Sequence, residues 1–85
     1  MPGPTYRISV LGTGYFCVEG GICGSYRDSD QLAEAIATHV RLRRDGPYRV
    51  ENLPEEISEN GRLQLPLHLD VFCGLAEHID RLVQQ

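Results

Sequence analysis

Leu63-Gln64-Leu65-Pro66-Leu67-His68-Leu69 places a leucine at every second position over residues 63–69. Successive side chains of an extended chain point to opposite faces, so this stretch predicts a strand with a leucine face and a face of Gln64, Pro66 and His68. A strand that is apolar on one side belongs to a sheet packed on one side only. Pro66 has no amide hydrogen, which predicts a sheet edge, or a proline position turned away from the neighbouring strand.

Reading outward toward the C-terminus, Asp70 is placed to cap a helix reaching about Val83, with Phe72, Leu75, Ile79, Leu82 and Val83 on its buried side. Toward the N-terminus, the polar run Pro54-Glu55-Glu56-Ile57-Ser58-Glu59-Asn60-Gly61 reads as an acidic connector ending in a turn dipeptide. Tyr48 to Leu53 reads as a further strand ahead of it.

The first half follows the same rules. Thr5 to Leu11 alternates, with Tyr6, Ile8 and Val10 on one face and Arg7 and Ser9 on the other. Gly12-Thr13-Gly14 marks a turn or a bulge. Tyr15-Phe16-Cys17-Val18 and Ile22-Cys23-Gly24-Ser25-Tyr26 flank Glu19-Gly20-Gly21, a hairpin signal. Asp28-Ser29-Asp30 offers side-chain oxygens to the free amides of a helix start. That helix is predicted to run to Arg44, burying Leu32, Ala33, Ile36, Ala37 and Val40, and to stop at Asp45-Gly46-Pro47. Arg41, Arg43 and Arg44 gather in its last turn, where positive charge complements the carbonyl end.

The order is therefore strands, helix, strands, helix. Its economical packing is an α+β two-layer sandwich: an antiparallel sheet with both helices on one face and the other face left to water or a partner. Tyr6-Arg7-Ile8 is echoed by Tyr48-Arg49-Val50 at an offset of 42 residues, and Leu32-Ala33-Glu34-Ala35-Ile36 by Leu75-Ala76-Glu77-His78-Ile79 at 43. The echo admits a tandem ββα repeat, competing with the simpler account that amphipathic helices draw on the same few residues.

At 85 residues with 41% hydrophobic content, the chain is expected to form a single domain over residues 1–85. A core this small leaves homodimerisation a natural expectation. No run approaches the roughly 20 apolar residues of a membrane-spanning helix, and Met1-Pro2-Gly3-Pro4 lacks the pattern of a signal peptide, so a cytoplasmic protein is expected. The net charge of −4 argues against a nucleic-acid duplex or an anionic membrane as direct partner. It suits a protein with a basic surface.

No motif here fixes an activity. Gly12-Thr13-Gly14 follows a strand but leads into another strand, with no helix N-terminus to hold a phosphate. Cys17 and Cys23 stand opposite one another only if the hairpin loop is Glu19-Gly20-Gly21; a loop of Gly20-Gly21 opposes Val18 with Cys23 instead. His39, His68, Cys73 and His78 add no paired zinc-ligand spacing, so the thiols are read as structural, with no cofactor and no metal. Catalysis is not expected.

What remains is interaction chemistry. Glu51, Glu55, Glu56 and Glu59 cluster around the connector, where they would steer association with a basic groove. Tyr15 and Tyr26 are the aromatic anchors expected on the open sheet face. The expected function is a small non-enzymatic interaction domain, in particular an acidic regulator or inhibitor of a nucleic-acid-handling complex such as mobile genetic elements encode. The alternatives are a metal- or thiol-dependent protein using Cys17 and Cys23, and a small-ligand carrier using the groove between helices and sheet.

Overall fold

The computed structural model describes residues 3–43 and 46–85. The chain forms β1 (Thr5–Leu11), β2 (Phe16–Gly20), β3 (Gly24–Tyr26), α1 (Ser29–Arg43), β4 (Arg49–Asn52), β5 (Ile57–Glu59), β6 (Arg62–Leu65) and α2 (Leu69–Val83). It is an α+β fold in the expected order.

The first strand organises the sheet, whose order is β3-β2-β1-β6-β5 with β4 also paired to β1. One edge of β1 pairs antiparallel with β2 along its length, Ile8 facing Val18 and Ser9 facing Cys17. The other edge is shared. Thr5–Ile8 pair with β4, while Val10 and Leu11 pair antiparallel with Leu65 and Gln64 of β6.

The β1–β4 pair is parallel, whereas the other strand pairs among the described residues are antiparallel. Its cause is the helix: β1, β2 and β3 alternate in direction, and α1, about 22 Å long at 1.5 Å per residue, carries the chain back so that β4 runs with β1. Where β4 ends and β6 has not begun, a side chain fills in. The Leu67 amide donates to Asn52 Oδ1 (2.9 Å), and Asn52 Nδ2 donates to the Leu67 carbonyl (2.8 Å), so one amide side chain pairs a length of backbone as a strand would.

Both helices cover the same face. Tyr6, Ile8 and Val18 of the sheet meet Leu32, Ala33 and Ile36 of α1 and Leu75 and Ile79 of α2 in one buried cluster, as the spacing predicts. Fully burying a side chain of this size contributes about 1.5–3 kcal/mol, so this single face holds most of the fold's apolar stabilisation. Phe72, Leu82 and Val83 are only half-buried against it.

Helix α1 starts as its sequence dictates, with the Gln31 amide donating to Asp28 Oδ1 (2.8 Å). The arginine and aspartate expected to close it, Arg44 and Asp45, lie outside the described residues. Helix α2 starts two residues earlier than the Asp70 cap predicts. His68 is the N-cap, its Nδ1 accepting from the Asp70 amide (3.3 Å). Pro66 ends the ladder, so the leucine strand stops at Leu65; Leu67 is buried, whereas Leu69 opens the helix and is 67% exposed.

The connector over residues 54–61 is more ordered than its composition suggests. Ile57–Glu59 form an edge strand against β6, with Glu59 facing Arg62 across Asn60-Gly61. Both turn residues have positive φ (54° and 75°), the backbone of a two-residue hairpin turn that Asn-Gly favours.

Among the described residues, each half thus holds three strands and a 15-residue helix. The pairing differs. β1-β2-β3 is a continuous meander, whereas β4 joins β1 and β5-β6 is a separate hairpin. The helices begin at Ser29 and Leu69, an offset of 40 residues that does not match the 43 of the sequence echo.

Candidate functional site

The face of the sheet away from the helices carries the polar members of each strand: Arg7 and Ser9 of β1, Cys17 and Glu19 of β2, and Arg62 and Gln64 of β6. Ser9 and Cys17 are nevertheless buried, at 3% and 2% exposure. Long side chains from β6 reach across β1 to cover them. Arg62 Nη2 donates to Cys17 Sγ (3.9 Å), Gln64 Nε2 approaches the same sulfur (3.8 Å), and Gln64 Nε2 also donates to Glu19 Oε1 (3.0 Å). Beside this lattice opens a cleft of about 360 Å³ lined by Glu19, Ile57, Glu59, Asn60, Arg62 and Gln64.

The four glutamates singled out in the sequence divide by element. Glu55 and Glu56 are exposed in the connector, and Glu59 is exposed on β5 with Ile57 beside it. Among the described residues, no cation lies within ion-pair distance of these three carboxylates. Glu51 differs, half-buried on β4 and paired with Arg49 at 3.4 Å.

The tyrosines divide as well. Tyr15, 37% exposed, accepts a hydrogen bond from Arg27 Nε (3.2 Å), whose guanidinium carbon sits 6.0 Å from the ring centre. Tyr26 does not lie on the open face. It is paired with Phe16, which is paired with Val10, so all three share the helix side and pack against the core. Alternation fixes this, because Tyr26 is two residues from Gly24, the partner of the core residue Val18.

Neither hairpin register considered for the cysteines forms. Cys17 faces Ser25 and Val18 faces Gly24, so the turn centres on Gly21 and Cys23 is exposed in the loop. All three cysteines are free thiols, and among the described residues no three His, Cys, Asp or Glu side chains converge as metal donors.

Two polar contacts escape sequence reading altogether. Buried Tyr6 shares a 2.5 Å hydrogen bond between its hydroxyl and His39 Nδ1, and Tyr48 donates its hydroxyl to Asp80 Oδ1. Burial, then the Asp80 hydrogen bond and the Asp80 charge, push the Tyr48 phenol well above its ordinary value. The first pair joins β1 to α1, and the second joins the residue just ahead of β4 to α2. Nothing in local sequence signals them, because the partners lie 33 and 32 residues apart.

No helix among the described residues is long and apolar enough to cross a membrane. No protein-family model, curated protein or solved structure matches this chain.

Proposed function

We propose that this chain is a small non-enzymatic interaction module that docks on a protein with a basic surface through the 54–59 connector and the outer edge of β5. One observation carries the reading: Glu55 and Glu56 in the connector and Glu59 on β5 stand exposed, without a cation in reach among the described residues, at a strand whose outer edge has no neighbour in the sheet among those residues. Unneutralised carboxylates steer a positively charged surface toward the site, and a free edge with Ile57 beside it supplies hydrogen-bonding and apolar contact on arrival. Proteins that handle nucleic acid present basic grooves of this kind. A regulator or inhibitor of such a complex is the role that suits the chain's size and charge.

The test is affinity capture followed by mass spectrometry at low and high salt, with the wild type beside a Glu55→Lys, Glu56→Lys, Glu59→Lys variant. Raising ionic strength from 0.1 to 1 M shortens the screening length from about 10 to about 3 Å. The wild type is expected to retain a basic protein at low salt, to release it at high salt, and to lose it in the variant. Retention that neither salt nor charge reversal alters would remove the proposal.

A further inference from the structure

The cleft on the open sheet face has a property that does not depend on the docking reading. Glu19, Glu59 and Arg62 line it together, yet among the described residues none is ion-paired with another. Two of them are held by neutral groups instead. Arg62 is anchored on the buried thiol of Cys17 (3.9 Å) and Glu19 on the amide of Gln64 (3.0 Å). A guanidinium has five N–H donors, so one bond to sulfur leaves most of them unused, and a carboxylate with one accepted bond keeps further acceptor sites.

Two charges of opposite sign are thus fixed on one cleft without cancelling each other. The side chain of Ile57, 37% exposed, supplies an apolar wall, and Asn60 supplies an amide. The volume, about 360 Å³, is sufficient for a molecule of a dozen or fewer heavy atoms.

We infer that this cleft is a binding site for a small zwitterion of the α-amino-acid class, its carboxylate on Arg62, its ammonium on Glu19 with Glu59 beside it, and an aliphatic side chain against Ile57. Carboxylate recognition by a planar guanidinium and ammonium recognition by a preset carboxylate are both charge-assisted bonds. Gln64 and Cys17 act as positioning residues, because Gln64 holds Glu19 in place and Cys17 holds Arg62.

The experiment is an NMR titration of the full chain with L-leucine, beside L-leucinamide, which lacks the carboxylate, and N-acetyl-L-leucine, which lacks the ammonium. Leucine is expected to give saturable shifts confined to the cleft residues Glu19, Ile57, Glu59, Asn60, Arg62 and Gln64, with each capped analogue weaker by about tenfold or more. Arg62→Gln should weaken leucine and abolish its advantage over leucinamide. Glu19→Gln should abolish its advantage over N-acetyl-leucine. Both positions are exposed, so the dispersed spectrum of each variant reports an intact fold, and the loss of discrimination reads out the assigned contact. The inference is overturned by an absence of saturable shifts up to about 10 mM, by equal binding of all three compounds, or by variants that keep the wild-type preference. None of these outcomes decides salt-sensitive capture of a basic protein, which draws on Glu55 and Glu56 outside the cleft as well as on Glu59 and Ile57 that line it.

Discussion

Asn52 bridges the gap in the sheet between β4 and β6, and both of its amide atoms are committed to Leu67. Truncation at this position leaves a backbone amide and carbonyl without partners in a half-buried setting, so Asn52→Ala is expected to cost about 1–3 kcal/mol. Urea unfolding should show a lower midpoint at unchanged slope. Asn52→Asp should not rescue it, since a carboxylate presents oxygen to the Leu67 carbonyl. Tyr48 gives a second residue-scale prediction. Its folded-state pKa is raised, so the stability tied to the neutral phenol is fully present below the unfolded value of about 10 and is lost as pH climbs above it. Tyr48→Phe should lower stability by about 0.5–1.5 kcal/mol at neutral pH and flatten the alkaline decline, as measured by thermal melts between pH 7 and 11. At this scale the sequence was informative only where cause and effect are neighbours. Asp28 capping α1 is legible three residues away, whereas the Asn52–Leu67 and Tyr48–Asp80 bonds depend on which elements the fold brings together.

Strong periodicity marked β1 and both helices, but the strictest alternation, the leucine run over residues 63–69, forms strand only to Leu65. β1 spans Thr5–Leu11 as its alternation predicts; α1 buries Leu32, Ala33, Ile36 and Ala37 and α2 buries Leu75 and Ile79, while Val40, Phe72, Leu82 and Val83 are only half-buried. The β5–β6 hairpin was only half legible. Asn60-Gly61 announces a turn, but Ile57-Ser58-Glu59 has no apolar alternation because none of its residues is buried. Strand direction was hidden too, since the parallel β1–β4 pair follows from the return path of α1 and leaves no mark in either strand. Two glycines test these elements in opposite senses. Gly20 ends β2 at φ 109°, and a Cβ built there would overlap the Thr5 carbonyl oxygen. Gly20→Ala should therefore destabilise by about 1–3 kcal/mol from the backbone conformation alone, with the overlap added. Gly74 sits inside α2 with nothing within 4 Å of a built Cβ. Gly74→Ala should stabilise by about 0.5–1 kcal/mol through helix propensity, and the pair can be compared in one series of thermal melts.

At the scale of the whole molecule, residues from both halves share one cluster: Tyr6 and Ile36 come from the first, Leu67 and Ile79 from the second. Neither half keeps that interior without the other. Far-ultraviolet circular dichroism and tyrosine fluorescence should accordingly report coincident unfolding midpoints, and separated midpoints would show that the halves melt independently. The one-sided burial that the leucine run announced is what leaves Arg62, Glu19 and the connector glutamates on accessible ground. Their particular grouping was not legible, because Arg62 and Glu19 are 43 residues apart and meet only through the order of strands.

The divided edge of β1 also has a consequence for synthesis on the ribosome. The β1-β2-β3 meander and α1 are complete in sequence by Arg43, but the partners of the other margin of β1 arrive only with Arg49–Asn52 and Arg62–Leu65. Until some twenty further residues have emerged, the nascent chain displays the unpaired backbone of its central strand. That interval is when a chaperone, or a neighbouring nascent chain, has its best opportunity to engage it.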